Sequence, residues 1–175
     1  QIEKARDLDI TEEIYFNIIR QKTASLIAAC CASGASSVGK DSKVVEKMRL
    51  FGEKVGIAFQ IKDDLFDYAN NSLIGKPTGL DIREKKITLP LIFTLNSVEP
   101  KLKKHILNII KNYNTDDKKV KEVINIVKKN NGPEYAEKVM HKYRKEALNI
   151  LSDFKDNQAN KSLRMLVDYV VKRNR

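Results

Sequence analysis

The chain has 175 residues, 42% hydrophobic and 32% charged, with 7 Gly, 4 Pro, 2 Cys and no Trp, a composition that excludes a disordered or collagen-like chain and allows a buried core. No apolar stretch approaches the ~20 residues that a membrane-spanning helix needs, and the first residues lack a basic-then-apolar signal pattern, so a cytoplasmic protein without an integral membrane segment is expected. The net charge of +10 is unevenly placed, because residues 1–100 hold 14 basic and 14 acidic residues while residues 101–175 hold 19 and 9.

Apolar residues recur at three- and four-residue spacing along most of the chain and strand signals are nearly absent, so the expected fold class is all-α. Asp9 with Glu12 forms a capping box that opens a helix carrying Ile14, Ile18, Lys22 and Leu26 on one side and running to about Gly39. Its second half, Ala28 to Ser37, is almost entirely small, which suits close helix packing. Cys30 and Cys31 are adjacent, which suits neither a disulfide framework nor a metal site with the usual spacer, and they read as small buried apolar residues. A second helix is expected from Ser42 to about Tyr68, with Val44, Val45, Met48, Phe51, Val55, Phe59 and Phe66 toward the core. Ala69 to Lys86, with Gly75, Pro77 and Gly79, reads as a loop of functional length. Thr88 is expected to cap a short apolar helix with Pro90 in its first turn.

Beyond Pro100 the pattern predicts four amphipathic helices, about 100–112, 116–130, 133–155 and 158–173. Thr115, Asp116 and Asp117 start one of them, and Asn131-Gly132-Pro133 separates it from the next. The basic residues of this zone interleave with helical apolar positions and form no run, which favours a solvated face over a polyanion-binding surface and implies no nucleic-acid partner. His105 and His141 read as surface residues, and the 6 Tyr as core edges. With no linker between the zones, one helical domain over 1–175 is expected, with 11–96 as its motif region and 100–175 as outer helices.

The chemistry concentrates in Gly56 to Asp67. On a helix, Gln60, Asp63, Asp64 and Asp67 fall at i, i+3, i+4 and i+7, so one face presents an amide and carboxylates. These acids repel one another and oppose the dipole at a helix C-terminus. A hard cation such as Mg²⁺, which bridges carboxylates to phosphate oxygens, would resolve the conflict; a solvated acidic helix end paired with lysines fits the same four residues. Lys22 and Thr23, then Lys76 and Lys86, add cations and a hydroxyl suited to diphosphate oxygens, and together they favour a diphosphate site.

Lys22-Thr23-Ala24 with Leu26, then Gly56 and Phe59-Gln60-Ile61-Lys62-Asp63-Asp64-Leu65-Phe66-Asp67, then Gly75-Lys76, Gly79, Asp81-Ile82-Arg83-Glu84, Lys86 and Thr88-Leu89-Pro90, closely resemble the second half of trans-type isoprenyl diphosphate synthases, nearest to the polyprenyl branch of octaprenyl and heptaprenyl synthases. The resemblance implies an isoprenoid-synthase-like bundle of long antiparallel helices. It implies that Asp63 and Asp67 hold Mg²⁺ on an allylic diphosphate with Asp64 supporting them, that Lys22 and Lys76 bind the same diphosphate, that Lys86 helps close the loop over it, and that Thr23 and Gln60 line the reacting end. The reaction implied is condensation of an allylic diphosphate with isopentenyl diphosphate to extend a trans-polyprenyl diphosphate, by a homodimer when full-length.

The family's first aspartate-rich motif has no counterpart here, and its members are about twice as long, so the chain is expected to be a C-terminal catalytic half that is inactive alone. The alternatives are a non-catalytic half-subunit of a hetero-oligomer, a terpene-cyclase-like enzyme and a basic helical polyanion-binding module. Lys85 stands where the polyprenyl branch usually has glycine.

Overall fold

A computed structural model describes residues 11–69 and 78–173 of the chain. Among them every regular element is helical: α1 (Glu12–Ile19), a π-helical turn (Arg20–Ala24), α2 (Ser25–Ser37), α3 (Ser42–Phe66), α4 (Leu80–Arg83), α5 (Leu89–Ser97), α6 (Pro100–Asn112), α7 (Asp117–Lys129), α8 (Gly132–Leu151) and α9 (Gln158–Lys172). No helix among the described residues is long and apolar enough to cross a membrane. The residues pack as two compact units that interleave in sequence and do not divide at residue 100. The first contains 11–15, 63–69 and 78–137, the second 16–62 and 138–173.

In the first unit, α5 is an apolar helix almost wholly inside, with Leu89, Leu91, Ile92 and Leu95 buried. The amphipathic helices α6 and α7 cover the core with Ile106, Ile109, Ile110, Val120, Val123 and Val127. Asp116 caps α7 as expected, accepting from Lys118 N at 2.8 Å and Lys119 N at 3.2 Å. Thr88 holds the cap position of α5 but makes no side-chain cap bond; its hydroxyl lies 3.3 Å from the Tyr68 hydroxyl instead. The segment expected as one loop contains α4, and Gly79 before it is left-handed at φ 80°.

In the second unit, the helix expected to run unbroken to Gly39 is interrupted by the π-helical turn. Ser25 N donates to Arg20 O, five residues back, and the Ser25 hydroxyl donates to Gln21 O at 2.7 Å. A side-chain donor competing for a helix carbonyl favours such a local expansion. Ala28 is the buried residue of α2. Cys30 is exposed and Cys31 half-buried, which corrects the expectation of buried cysteines: the small residues of α2 are used for backbone approach to α3 along one narrow line, and the thiols lie off it. A Cβ on Gly52 would sit 2.6 Å from Ile27 O, and one on Gly56 2.6 Å from Ala24 Cα. Helix α8 ends at Leu151, short of the expected 155, where the buried Asn160 side chain donates to the helix-terminal Leu151 O at 2.9 Å and to Lys155 O in the following loop at 3.1 Å.

The glycines separate propensity from packing. Gly34→Ala, with nothing within 4 Å of the added carbon, is expected to raise the free energy of unfolding by ~0.5–1 kcal/mol. Gly56→Ala places the same methyl against backbone and is expected to lower it by ~1–3 kcal/mol. Urea denaturation of both variants measures this, and equal effects at the two positions would refute the close approach.

Candidate active site

The end of α3 belongs to the first unit. Asp64 is 6% exposed and Asp67 9%, while Asp63 is half-buried. Burying a carboxylate is expensive unless its oxygens find donors. Tyr15, itself 4% exposed on α1, donates its hydroxyl to Asp64 Oδ2 at 2.6 Å. Asp67 takes two backbone amides, Leu80 N on Oδ1 at 2.8 Å and Asp81 N on Oδ2 at 3.1 Å, and thereby caps α4 through a residue outside that helix. Burial pushes the Asp67 carboxyl up, and the amide bonds partly counter it.

Asp81 joins this acidic set. Burial, then the neighbouring Asp67 charge, raises its pKa from 3.8 to about 6. Lys86 is its counter-cation at 3.7 Å and also pairs with Glu84, which together hold the ammonium protonated. The Lys86 amide donates to Asp81 O at 2.8 Å, across a left-handed Lys85 at φ 56°. That is the position where glycine would be free of strain, so the departure noted from the sequence falls on a backbone conformation that disfavours lysine. Burial also pushes the Tyr68 hydroxyl up, with Asp67, Asp81 and Asp64 adding to the effect.

The second unit holds the other expected residues. Thr23, in the π-helical turn, donates its hydroxyl to Gln60 Oε1 at 2.8 Å, 37 residues on. Gly52, Gly56 and Gln60 follow at i, i+4 and i+8 on α3, so the glycines that let the two backbones approach also bring Thr23 within bonding distance of the amide. Lys22 is exposed on the same turn. Lys76 lies outside the described residues.

The sequence reading did not assign roles to Tyr15 or Asp81. No local signal marks Tyr15 as the donor to an acid 49 residues on; Asp81 is an acid just after a glycine suited to a positive φ. Among the described residues no group of three or more His, Cys, Asp or Glu converges as a ready-made metal cage. The donor set is nevertheless anionic and all-oxygen. It fits a hard divalent cation that takes one or two carboxylates and the rest from water and phosphate oxygens.

The sequence profile of the polyprenyl synthetase family matches residues 1–127. A short chain isoprenyl diphosphate synthase of Methanothermobacter thermautotrophicus is 34% identical over 167 residues, covering 95% of this chain and 51% of its own length. The crystal structure of a geranylgeranyl pyrophosphate synthase from Bacteroides thetaiotaomicron superposes with a TM-score of 0.91 at 39% identity, over 99% of this chain and 57% of that one. A polyprenyl synthase from Caulobacter crescentus, crystallised with calcium and isoprenyl diphosphate, superposes at 0.91 with 29% identity, over 100% of this chain and 54% of that one. The chain thus spans about half the length of the relatives it matches.

The raised Asp81 pKa fixes a pH dependence. Its folded value lies above its unfolded one, so its contribution to stability is full below about pH 3.8 and is lost as pH rises through about 6. Asp81→Asn, which cannot ionise, is expected to gain on the parent chain by on the order of 2 kcal/mol between pH 4 and pH 7.5. Urea melts of both proteins at the two pH values measure the gain, and a pH-independent difference would refute the assignment.

Proposed function

Because the chain belongs to the polyprenyl synthetase family, we propose that the whole protein is a prenyltransferase that joins an allylic diphosphate to isopentenyl diphosphate and lengthens a trans-polyprenyl diphosphate by one isoprene unit, working in the cytoplasm as a homodimer. The observation that supports this most directly is the order of groups along α3: Gln60, bonded to Thr23, is followed within two turns by Asp63, Asp64 and Asp67, in the spacing of the family motif. Residues 1–175 carry the half of the machinery that holds the allylic diphosphate. The first aspartate-rich motif would come from a further segment or polypeptide.

In this reading Asp63, Asp64 and Asp67 hold Mg²⁺, with Asp64 oriented by Tyr15 and Asp67 by the amides of Leu80 and Asp81. Mg²⁺, when bound, supplies charge neutralisation to the departing diphosphate. Lys22, Lys76 and Lys86 bind diphosphate oxygens and stabilise the charge that gathers on them as the carbon–oxygen bond breaks. Lys86 is prepared for this by its protonation beside Asp81 and Glu84. Thr23 and Gln60 present oxygen dipoles to the reacting end, where positive charge develops on the allylic carbon before the isopentenyl double bond attacks and a proton is lost. Water must be excluded throughout, since it would trap the cation as an alcohol.

Two measurements test this. Mg²⁺ with inorganic diphosphate at tenfold excess over Kd is expected to add ~1.4 kcal/mol to the stability of the chain, a melting shift of roughly 3–6 °C, and Asp63→Ala is expected to abolish the shift. An unchanged shift in the variant would remove Asp63 from the metal. In a radiolabel assay with both diphosphates and Mg²⁺, residues 1–175 alone are expected to give no prenyl product, and product is expected on adding a polypeptide that carries the missing aspartate-rich motif. Product from the isolated chain would overturn the requirement for that segment.

A further inference from the structure

The lysines of α6 and α7 carry charge that the proposed reaction does not use. Lys101, Lys104 and Lys111 recur along one stripe of α6, and Lys118, Lys121 and Lys129 along one stripe of α7; all six are exposed. The opposite sides carry the buried Ile106, Ile110, Val123 and Val127. The short turn 113–116 joins the helices as an antiparallel hairpin, and His105 Nε2 meets Glu122 Oε1 across it at 2.6 Å. That bridge marks the line along which the helices meet. On each helix the lysine stripe is rotated from the bridging residue in the same sense, and in an antiparallel pair equal rotations lead to the same side. The two stripes therefore share one face.

Little offsets this charge. Helix α6 contains no acid, and those of α7 are engaged elsewhere, Asp117 with Arg83 at 2.6 Å and Glu122 with His105 and with Lys119 at 2.9 Å. None of the six lysines forms an ion pair with a described residue.

We propose that the α6–α7 face docks the protein on an anionic lipid membrane surface. All six cations are lysines and neither helix contains arginine, so the face offers dispersed point charges without the planar forks that read phosphate or base edges in nucleic acid. Its one strongly exposed aromatic neighbour, Tyr113 at the turn, makes no stacking platform. A broad sheet of headgroup phosphates needs only such a charge array. The choice of membrane over nucleic acid also rests on the prenyltransferase reading, whose product carries a growing hydrocarbon tail that must leave water; the charge geometry stands without it.

Co-sedimentation with vesicles tests the proposal without measuring prenyl transfer. The chain is expected to bind phosphatidylcholine vesicles containing one-quarter phosphatidylglycerol in 0.1 M salt, to ignore pure phosphatidylcholine, and to be released in 0.5 M salt. At about fivefold in partitioning per lysine, the triple variant Lys104→Glu, Lys118→Glu, Lys121→Glu is expected to lose at least 100-fold. A control with the same charge change on α8, Lys138→Glu, Lys142→Glu, Lys145→Glu, is expected to stay within a few-fold of the parent. Unchanged helical circular dichroism in both variants confirms folding, and the salt and lipid dependence of the parent chain decides the matter if a variant does not fold. Equal loss in the two triple variants, binding to neutral vesicles, or tighter binding to random duplex DNA than to anionic vesicles at the same salt would overturn the proposal. An active enzyme that fails to bind would overturn this inference alone, and a bound but inactive one would leave it standing.

Discussion

Carboxylates that leave water must find donors, and the geometry of residues 63–69 and 78–86 follows from how three of them do so. Asp64 is met by a phenol from α1. Asp67 is met by the two consecutive amides that open α4, just after the left-handed Gly79 at φ 80°. The Leu80 and Asp81 amides face back toward the end of α3. Asp81 then lands beside Asp67 and needs a cation of its own. The turn at Lys85 supplies one by bringing Lys86 back onto Asp81, through both the backbone bond at 2.8 Å and the ammonium at 3.7 Å. A lysine in a left-handed turn is disfavoured by about 1–2 kcal/mol, and its ammonium bond to Lys111 O at 2.9 Å is one contact that offsets this.

How far this could be read from sequence depended on the range of each interaction. Helix positions followed from three- and four-residue periodicity, and the shared face of Gln60, Asp63, Asp64 and Asp67 follows from the same spacing. The cap at Asp116 is equally local. What spacing could not show are pairings across long separations. Tyr15 and Asp64 lie 49 residues apart, Thr23 and Gln60 37, and each depends on which helices become neighbours. Thr88 illustrates the competition, because a residue ideal for a local cap gave its hydroxyl to Tyr68. The cysteines illustrate another limit: smallness permits burial without requiring it, so Cys30 could not be placed from composition.

The π-helical turn was illegible for a different reason. Arg20 to Ala24 contains nothing that breaks a helix, and the expansion shows only in the bonds of Ser25 to Arg20 O and Gln21 O. Its position is informative all the same. It lies where Ala24 faces Gly56, one residue from Thr23, so the irregular backbone and the closest approach to α3 coincide at the residue that reaches Gln60. Local irregularity of this kind is a recurrent way of aiming side chains that a regular helix would direct elsewhere.

Acids and lysines also divide the first unit by depth. Asp64 and Asp67 are buried and Asp81 half-buried, where the lowered effective dielectric strengthens every charge interaction and makes geometry decisive. The α6–α7 lysines stand in solvent, where charges interact over only about 10 Å in 0.1 M salt. Their field is therefore spent on whatever lies directly against that face, and it cannot relieve the buried acids, which must rely on amides, a phenol, Lys86 and any bound cation. The two sets answer different demands. A small ligand held beside the acids would meet groups oriented by hydrogen bonds, so a shifted group there changes its chemistry. An extended anionic surface needs only charge density from the outer lysines, so their individual positions can vary freely while their sum and their common face cannot.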